Sequence, residues 1–129
     1  MSELSLSERI EAIEQAYELM LAYAAQGRQY DTEDSSSIRR FLRRADAALD
    51  GFAACLRESV AEQADPYADF LPVLEQDARA TRAALRLVLA QKALSSQLID
   101  NLNASIHIRA PLTDIFLIDE TLKGAGRDG

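Results

Sequence analysis

The feature that most constrains this chain is a run of apolar residues that recur at alternating intervals of four and three. The run consists of Ile38, Leu42, Ala45, Leu49, Phe52, Leu56 and then either Ser59 or Val60. These intervals place side chains on one face of an α-helix, because the helix has about 3.6 residues per turn. The run therefore predicts one long amphipathic helix. Gly51 lies inside this run, and we interpret it as a point of close contact with another helix rather than as a break.

A first helix is predicted before this one, from a capping sequence near the start of the chain. Ser5 and Glu8 have the spacing of a capping box, in which both side chains bond to amides of the first turn. An apolar face follows, and Gly27 supplies a helix end. The residues of this face are Ile10, Ile13, Tyr17, Met20 and Ala24. The polar residues 29–37 predict a connection that ends in an N-cap near positions 34–37.

A third helix is predicted from Pro72, because proline fits the first turn of a helix, where its missing N–H is not needed. Its apolar face is formed by Leu74, Ala78, Thr81, Leu85 and Val88. The face changes phase between Gln91 and Ser96. An unbroken helix to His107 would be about 54 Å long, which is longer than the second helix can cover. We therefore expect a kink or break near Ser95-Ser96.

The last helix is predicted to be short. Pro111 begins it, and Lys123-Gly124 ends it. Residues 125–129 are expected to form a disordered tail. Residues 105–118 contain short apolar runs that also allow a β-hairpin, and helix is the favoured alternative.

Together these elements predict an all-α protein, an up-and-down four-helix bundle with a long or kinked third helix and a short C-terminal helix. The chain has 129 residues, the usual size of one domain, so residues 1–124 are assigned to a single helical bundle. Only 3 Pro and 5 Gly are present, which does not favour a β-sandwich or barrel.

The charge of the chain limits its expected partners. The chain has 14 Lys and Arg but 21 Asp and Glu, so it lacks the positive charge that provides most nucleic-acid affinity. We therefore expect neither nucleic-acid nor membrane partners. The acidic N-terminus and the lack of about 18 to 20 consecutive apolar residues predict a cytoplasmic location. Cys55 and His107 are the only residues of their types, so we predict no disulfide, no metal site, no cofactor and no catalytic residues.

Four arginines at the start of the second helix form the strongest local anomaly. Arg39, Arg40, Arg43 and Arg44 fall within its first two turns, where the helix dipole disfavours cations. One interpretation is pairing within the chain. The acids available for it are Asp31, Glu33, Asp34, Asp46, Asp50 and the acidic face of helix one. The other interpretation is a site for an anionic ligand or for an acidic patch on another protein.

Some apolar residues lie outside the predicted core faces, and they indicate that the chain associates with itself or with a partner protein. Helices with more than one apolar stripe are either central in a bundle or present a second surface to a partner. The residues that we assign to a candidate interaction surface are Leu19, Tyr23, Phe41 and Leu87. The predicted function is a non-catalytic cytosolic interaction module, an assembly, chaperone-like or regulatory factor, that self-associates or binds a protein partner. The alternative is a helical bundle, binding or enzymatic, that holds a small anionic molecule with the arginine cluster.

Overall fold

The computed structural model describes residues 4–31, 37–60 and 64–128, with the side chains of 64, 65, 106 and 124–128 outside this description. Within these ranges the chain is all-helical, which confirms the predicted fold class. The elements are α1 (Leu6–Ala24), α2 (Ile38–Leu49), α3 (Phe52–Ser59), α4 (Ala64–Tyr67), α5 (Phe70–Leu89), α6 (Ser96–Ala104) and α7 (Ile106–Asp128). The described residues thus form six helices of eight residues or more and the four-residue α4, so the four-helix arrangement is not confirmed.

The helix α1 packs against α2, α3, α6 and α7. Its predicted capping box is confirmed, because the Ser5 hydroxyl accepts from the Glu8 amide at 3.1 Å and Glu8 Oε1 accepts from the Ser5 amide at 2.9 Å. The buried side of α1 differs from the apolar stripe predicted from the sequence: of that stripe only Ile13 and Met20 are buried, and Ile10, Tyr17 and Ala24 are half-buried. The buried residues are Arg9, Ala12, Ile13, Ala16, Met20 and Tyr23.

The predicted second helix is divided at Gly51, so a single continuous helix is wrong. Its first part ends at Leu49, and Gly51 has a φ of +79°, a left-handed conformation that is costly for residues with a Cβ. The guanidinium of Arg9 fills the break, where Nη1 donates to the carbonyl oxygens of Ala48 (2.8 Å) and Asp50 (2.5 Å). Carbonyl groups at a helix C-terminus lack intrahelical donors and carry partial negative charge. A buried cation therefore stabilises this helix end.

The apolar faces predicted for the second and third helices are buried despite this break. The six predicted side chains from Ile38 to Leu56 are at most 3% exposed, and Val60 rather than Ser59 continues the face. The five predicted side chains of α5 are at most 5% exposed. Apolar spacing therefore identified the core face of these helices correctly.

The predicted break in the third helix is confirmed. The helix α5 ends at Leu89, and α6 begins at Ser96 after the connection of residues 90–95. Ser95 is the N-cap of α6, because its hydroxyl accepts from the Leu98 amide at 3.0 Å. This cap satisfies one of the free amides in the first turn of α6.

The helix α7 begins at Ile106 and runs through Pro111, so the prediction that Pro111 starts the last helix is wrong. Proline has no N–H, and the carbonyl of His107 therefore lacks its donor within the helix. The buried hydroxyl of Thr81 on α5 lies within hydrogen-bonding distance of the His107 carbonyl, as well as of the Asp77 carbonyl on its own helix at 2.9 Å, and it can donate to His107 in place of the missing N–H. This contact from a neighbouring helix lets α7 continue.

The C-terminal end of α7 also differs from the prediction. The helix continues to Asp128, past the end predicted at Lys123-Gly124. Residues 105–118 are helical from position 106, which confirms helix over the hairpin. The disorder expected for residues 125–129 stays a prediction, and Gly129 lies outside the described residues.

Candidate functional site

Six arginines are assigned to the line where α2 and α3 meet α5, five of them by a contact or a shared cavity and Arg43 by its helix spacing, and we call them the arginine seam. They are Arg39, Arg43, Arg57, Arg79, Arg82 and Arg86. On α2, Arg39 and Arg43 share one ridge with Asp46 and Asp50, because these positions are spaced by four, three and four. The start of α2 lies beside the end of α5, since Arg39 donates to the Leu89 carbonyl. The two helices are therefore antiparallel along the seam.

Arg39 is bound within the chain. Its Nε lies 2.6 Å from Asp31 Oδ2, and both side chains are largely buried. The same guanidinium donates at 2.7 to 3.1 Å to the backbone carbonyls of Leu89, Gln91 and Lys92. Burial acts to raise the pKa of Asp31, but hydrogen bonds from Arg39 and the Leu94 amide outweigh it and hold that pKa below its usual value. For Arg39, Asp31 is therefore the acidic partner.

Arg82 joins the middle of α5 to the end of α2. Its Nε lies 2.9 Å from Asp46 Oδ1, and its Nη1 lies 3.1 Å from Asp50 Oδ1. One turn later, Arg86 Nε lies 3.5 Å from Asp46 Oδ2. The side chains of Arg82 and Asp46 are about one-quarter and one-fifth exposed, so salt screens this pair less than a surface pair.

Two arginines of the seam, Arg43 and Arg57, have no acidic partner among the described residues. Both are exposed. Arg79 pairs with Glu75 on its own helix at 3.0 Å, and its side chain is 73% exposed. A helical pair of this kind is worth only about 0.3 to 0.5 kcal/mol. These three guanidinium groups are therefore available to an external anion.

A cavity of about 300 Å³ opens beside the seam, where α2 ends and α3 begins. Its lining includes residues 50–54 and the side chains of Arg57, Arg79 and Arg82. Gly51, the N-cap of α3, has no side chain to bond to the first-turn amides of that helix. The lining also includes Asp50 and Glu75, which pair with Arg82 and Arg79. Arg57 and the positive end of the α3 dipole are therefore the part of the cavity that suits a carboxylate or phosphate group.

The structure does not gather the four arginines of the predicted anion site at one place. Arg39 lies in the α2–α5 interface, and Arg43 belongs to the outer part of the seam. Arg40 is exposed. Arg44 lies over the ring of Phe41, with its Cζ 5.7 Å from the ring centroid. Two of the predicted acidic partners lie outside the described residues, namely Glu33 and Asp34.

The four residues of the predicted interaction surface differ widely in exposure. Tyr23 is 5% exposed, and its hydroxyl donates to the Leu94 carbonyl at 2.5 Å, so its assignment to a surface is wrong. Leu19 and Phe41 are half-buried and pack against the core. Leu87 is 68% exposed on α5. Self-association through these residues stays a prediction.

We did not predict from the sequence that α5 provides three arginines of the seam. Arg79, Arg82 and Arg86 are spaced by three and four, a signal that places them on one helix face. Asp46 and Asp50, the acidic partners of Arg82, lie 36 and 32 residues from it in the chain. A spacing rule for a single helix cannot show that these two helices meet.

Metal ligands, membrane spans and known relatives give no further indication of function. Among the described residues, no three His, Cys, Asp or Glu side chains lie close enough together to hold a metal ion. No helix in the described ranges is long and apolar enough to cross a bilayer. Comparison of the chain with protein-family models, curated proteins and solved structures gives no match.

Proposed function

We propose that this chain is a non-catalytic helical interaction module that binds an acidic segment of a partner protein along the arginine seam. The observation that carries this proposal is the exposure of Arg43 and Arg57, which have no acidic partner among the described residues of a chain with net charge −7. Guanidinium groups bind carboxylates through paired hydrogen bonds. Uncompensated cations on an acidic protein therefore favour an acidic partner at this position.

The net negative charge of the chain is compatible with an acidic partner. At physiological salt the Debye length is about 8 Å, so acids farther than this from the seam are largely screened. Contacts at hydrogen-bonding distance are not screened in this way. Local cations then decide binding, and the net charge mainly slows the approach of the partner.

The chemistry of arginine supports binding rather than acid–base catalysis. A guanidinium stays protonated throughout the neutral pH range and therefore neither accepts nor releases protons there. The 12 residues of α2 span about 18 Å, which matches about five or six residues of extended peptide. We therefore expect the bound segment to be about six residues long and to carry several carboxylates.

The proposal is tested with a fluorescently labelled ten-residue peptide of alternating Glu and Ser, titrated with the protein and followed by anisotropy. We expect saturable binding to the wild type. The double variant Arg43→Ala/Arg57→Ala should bind at least about tenfold more weakly, because it removes the two unpaired cations, and tenfold corresponds to about 1.4 kcal/mol. Circular dichroism checks that the variant stays folded.

The matched control is Arg109→Ala/Lys123→Ala, which removes the same charge from α7. Both side chains are exposed there, away from the seam. We expect the control to bind within twofold of the wild type. An equal loss in both double variants would assign binding to net charge alone and would contradict a site at the seam. Absence of binding to the wild type would contradict the proposal outright.

The cavity at Gly51 favours a second candidate, a small anionic ligand held by Arg57, Arg79 and Arg82. Its volume is at the lower end of the usual range for ligand sites. Melting temperatures with phosphate and with dicarboxylates, at constant ionic strength, separate the two candidates. A shift that Arg57→Ala removes, together with no peptide binding, would favour the small anion.

A further inference from the structure

Asp114 on α7 is a buried acid that faces another acid. It is 6% exposed, and its Oδ2 has no hydrogen-bond partner. Asp77 lies on α5, which packs against α7, and its carboxyl group is the acid that acts on Asp114. Neighbouring carboxylates repel each other when both are ionised, and a buried anionic oxygen without a donor is unfavourable. The pair therefore needs a proton or a change of position.

Among the described residues, no cation compensates the charge of Asp114. Asp77 is the group of α5 that acts on it, and no ionisable group of α1 or α6, the other long helices packed against α7, adds to its effect among the described residues. On α7 itself, His107 and Arg109 are exposed and lie more than one turn away along the helix. Burial first, and then the neighbouring carboxyl of Asp77, raise the pKa of Asp114 to about 7.

We propose that Asp77 and Asp114 form a proton-operated clasp between α5 and α7. In the closed clasp the O–H of Asp114 donates to the Asp77 carboxylate, and the buried carboxyl gains the partner that it lacks when ionised. When the proton leaves, two negative charges face each other across the helix interface. The contact between α5 and α7 then loosens.

The sign of the pH dependence follows from the raised pKa. In the unfolded chain Asp114 has its ordinary pKa, about 4, so between that pH and about 7 the folded protein binds one proton more than the unfolded chain. The stabilisation from this proton is complete below about pH 4 and is lost as the pH rises to about 7. Above pH 7 it does not change further. The clasp thus responds near neutral pH, where an ordinary aspartate is always ionised.

The test is a pair of NMR measurements on the whole chain between pH 5 and 8.5. The side-chain carboxyl ¹³C shift of Asp114 should titrate near pH 7. Over the same range the amide protection factors of α7 should fall at least threefold relative to those of α1. In Asp114→Asn, where a neutral amide can still donate to Asp77, the relative protection of α7 should not change with pH.

A second variant, Asp77→Asn, keeps the test decisive if Asp114→Asn does not fold. It removes the repulsion but leaves Asp114 buried, so Asp114 should titrate between its ordinary pKa and the wild-type value. A wild-type Asp114 that titrates near pH 4, or α7 protection with the same pH dependence in wild type and Asp114→Asn, would overturn the clasp. Neither residue belongs to the arginine seam, so this result is independent of the proposed function.

Discussion

The two sides of α5 differ in the charges that they bring together. On the side toward α2, Arg82 lies within 3.1 Å of Asp46 and Asp50, so these three charges have opposite partners. On the side toward α7, Asp77 faces the carboxyl of Asp114 without a cation. On the second side, burial and the carboxyl of Asp77 raise the pKa of Asp114 to about 7, and the proposed clasp holds a proton there. One helix therefore carries a surface that suits an external anion and, on its other side, a contact that responds to pH.

The two sides differ in burial as well as in charge. The hydroxyl of Thr81, which bonds to the His107 carbonyl on the α7 side, belongs to a residue that is 1% exposed. The ion pairs of Arg82 and Arg86 on the α2 side are partly or largely exposed. A buried hydrogen bond contributes more than an exposed ion pair when one partner is removed. We therefore expect the single neutral contact to matter more for stability than the ion pairs.

The largest expected effect comes from Thr81→Val, which keeps the shape of the side chain and removes the hydroxyl. The His107 carbonyl then loses the donor that replaces the missing N–H of Pro111. We expect a loss of about 1 to 3 kcal/mol in the free energy of unfolding, measured by urea denaturation at pH 7. Thr113→Val is the matched control, because its exposed hydroxyl only donates to the Arg109 carbonyl at 3.1 Å. Equal losses in the two variants would contradict the importance of the buried contact.

A smaller effect is expected from Arg82→Ala on the other side of α5. The ion pairs with Asp46 and Asp50 are partly exposed, so we expect a loss of about 1 kcal/mol or less in the free energy of unfolding. The loss should shrink in 1 M salt, where charges are screened within about 3 Å. A loss above about 3 kcal/mol that does not depend on salt would show that this side behaves like a buried charge pair.

Features of the fold that depend on neighbours in sequence could be predicted. The capping box of Ser5 and Glu8 lies within one turn, and the structure confirms it. The buried face from Ile38 to Leu56 follows from spacing alone, and the break before α6 follows from a local change of phase. In each case the interacting residues, or the pattern that they form, lie within a short stretch of chain.

Features that depend on distant residues could not be predicted in this way. Arg9 reaches the Ala48 carbonyl across 39 residues and stabilises the helix end before Gly51. Thr81 reaches the His107 carbonyl across 26 residues and lets α7 pass through Pro111. Nothing in the local pattern marks either residue as a partner for a backbone carbonyl. The pairing of Asp77 with Asp114 depends on helix packing in the same way.

The most direct test of the central claim, that the arginine seam binds an acidic segment, is a map of amide shifts. Two-dimensional ¹H–¹⁵N spectra are recorded while the unlabelled Glu and Ser peptide is added to the ¹⁵N-labelled chain. We expect saturable shifts in α2, in α3 and in the part of α5 that includes Arg79, Arg82 and Arg86, with little change in α6 and α7. Shifts concentrated in α6 or α7, or small shifts spread evenly over the chain without saturation, would contradict this claim.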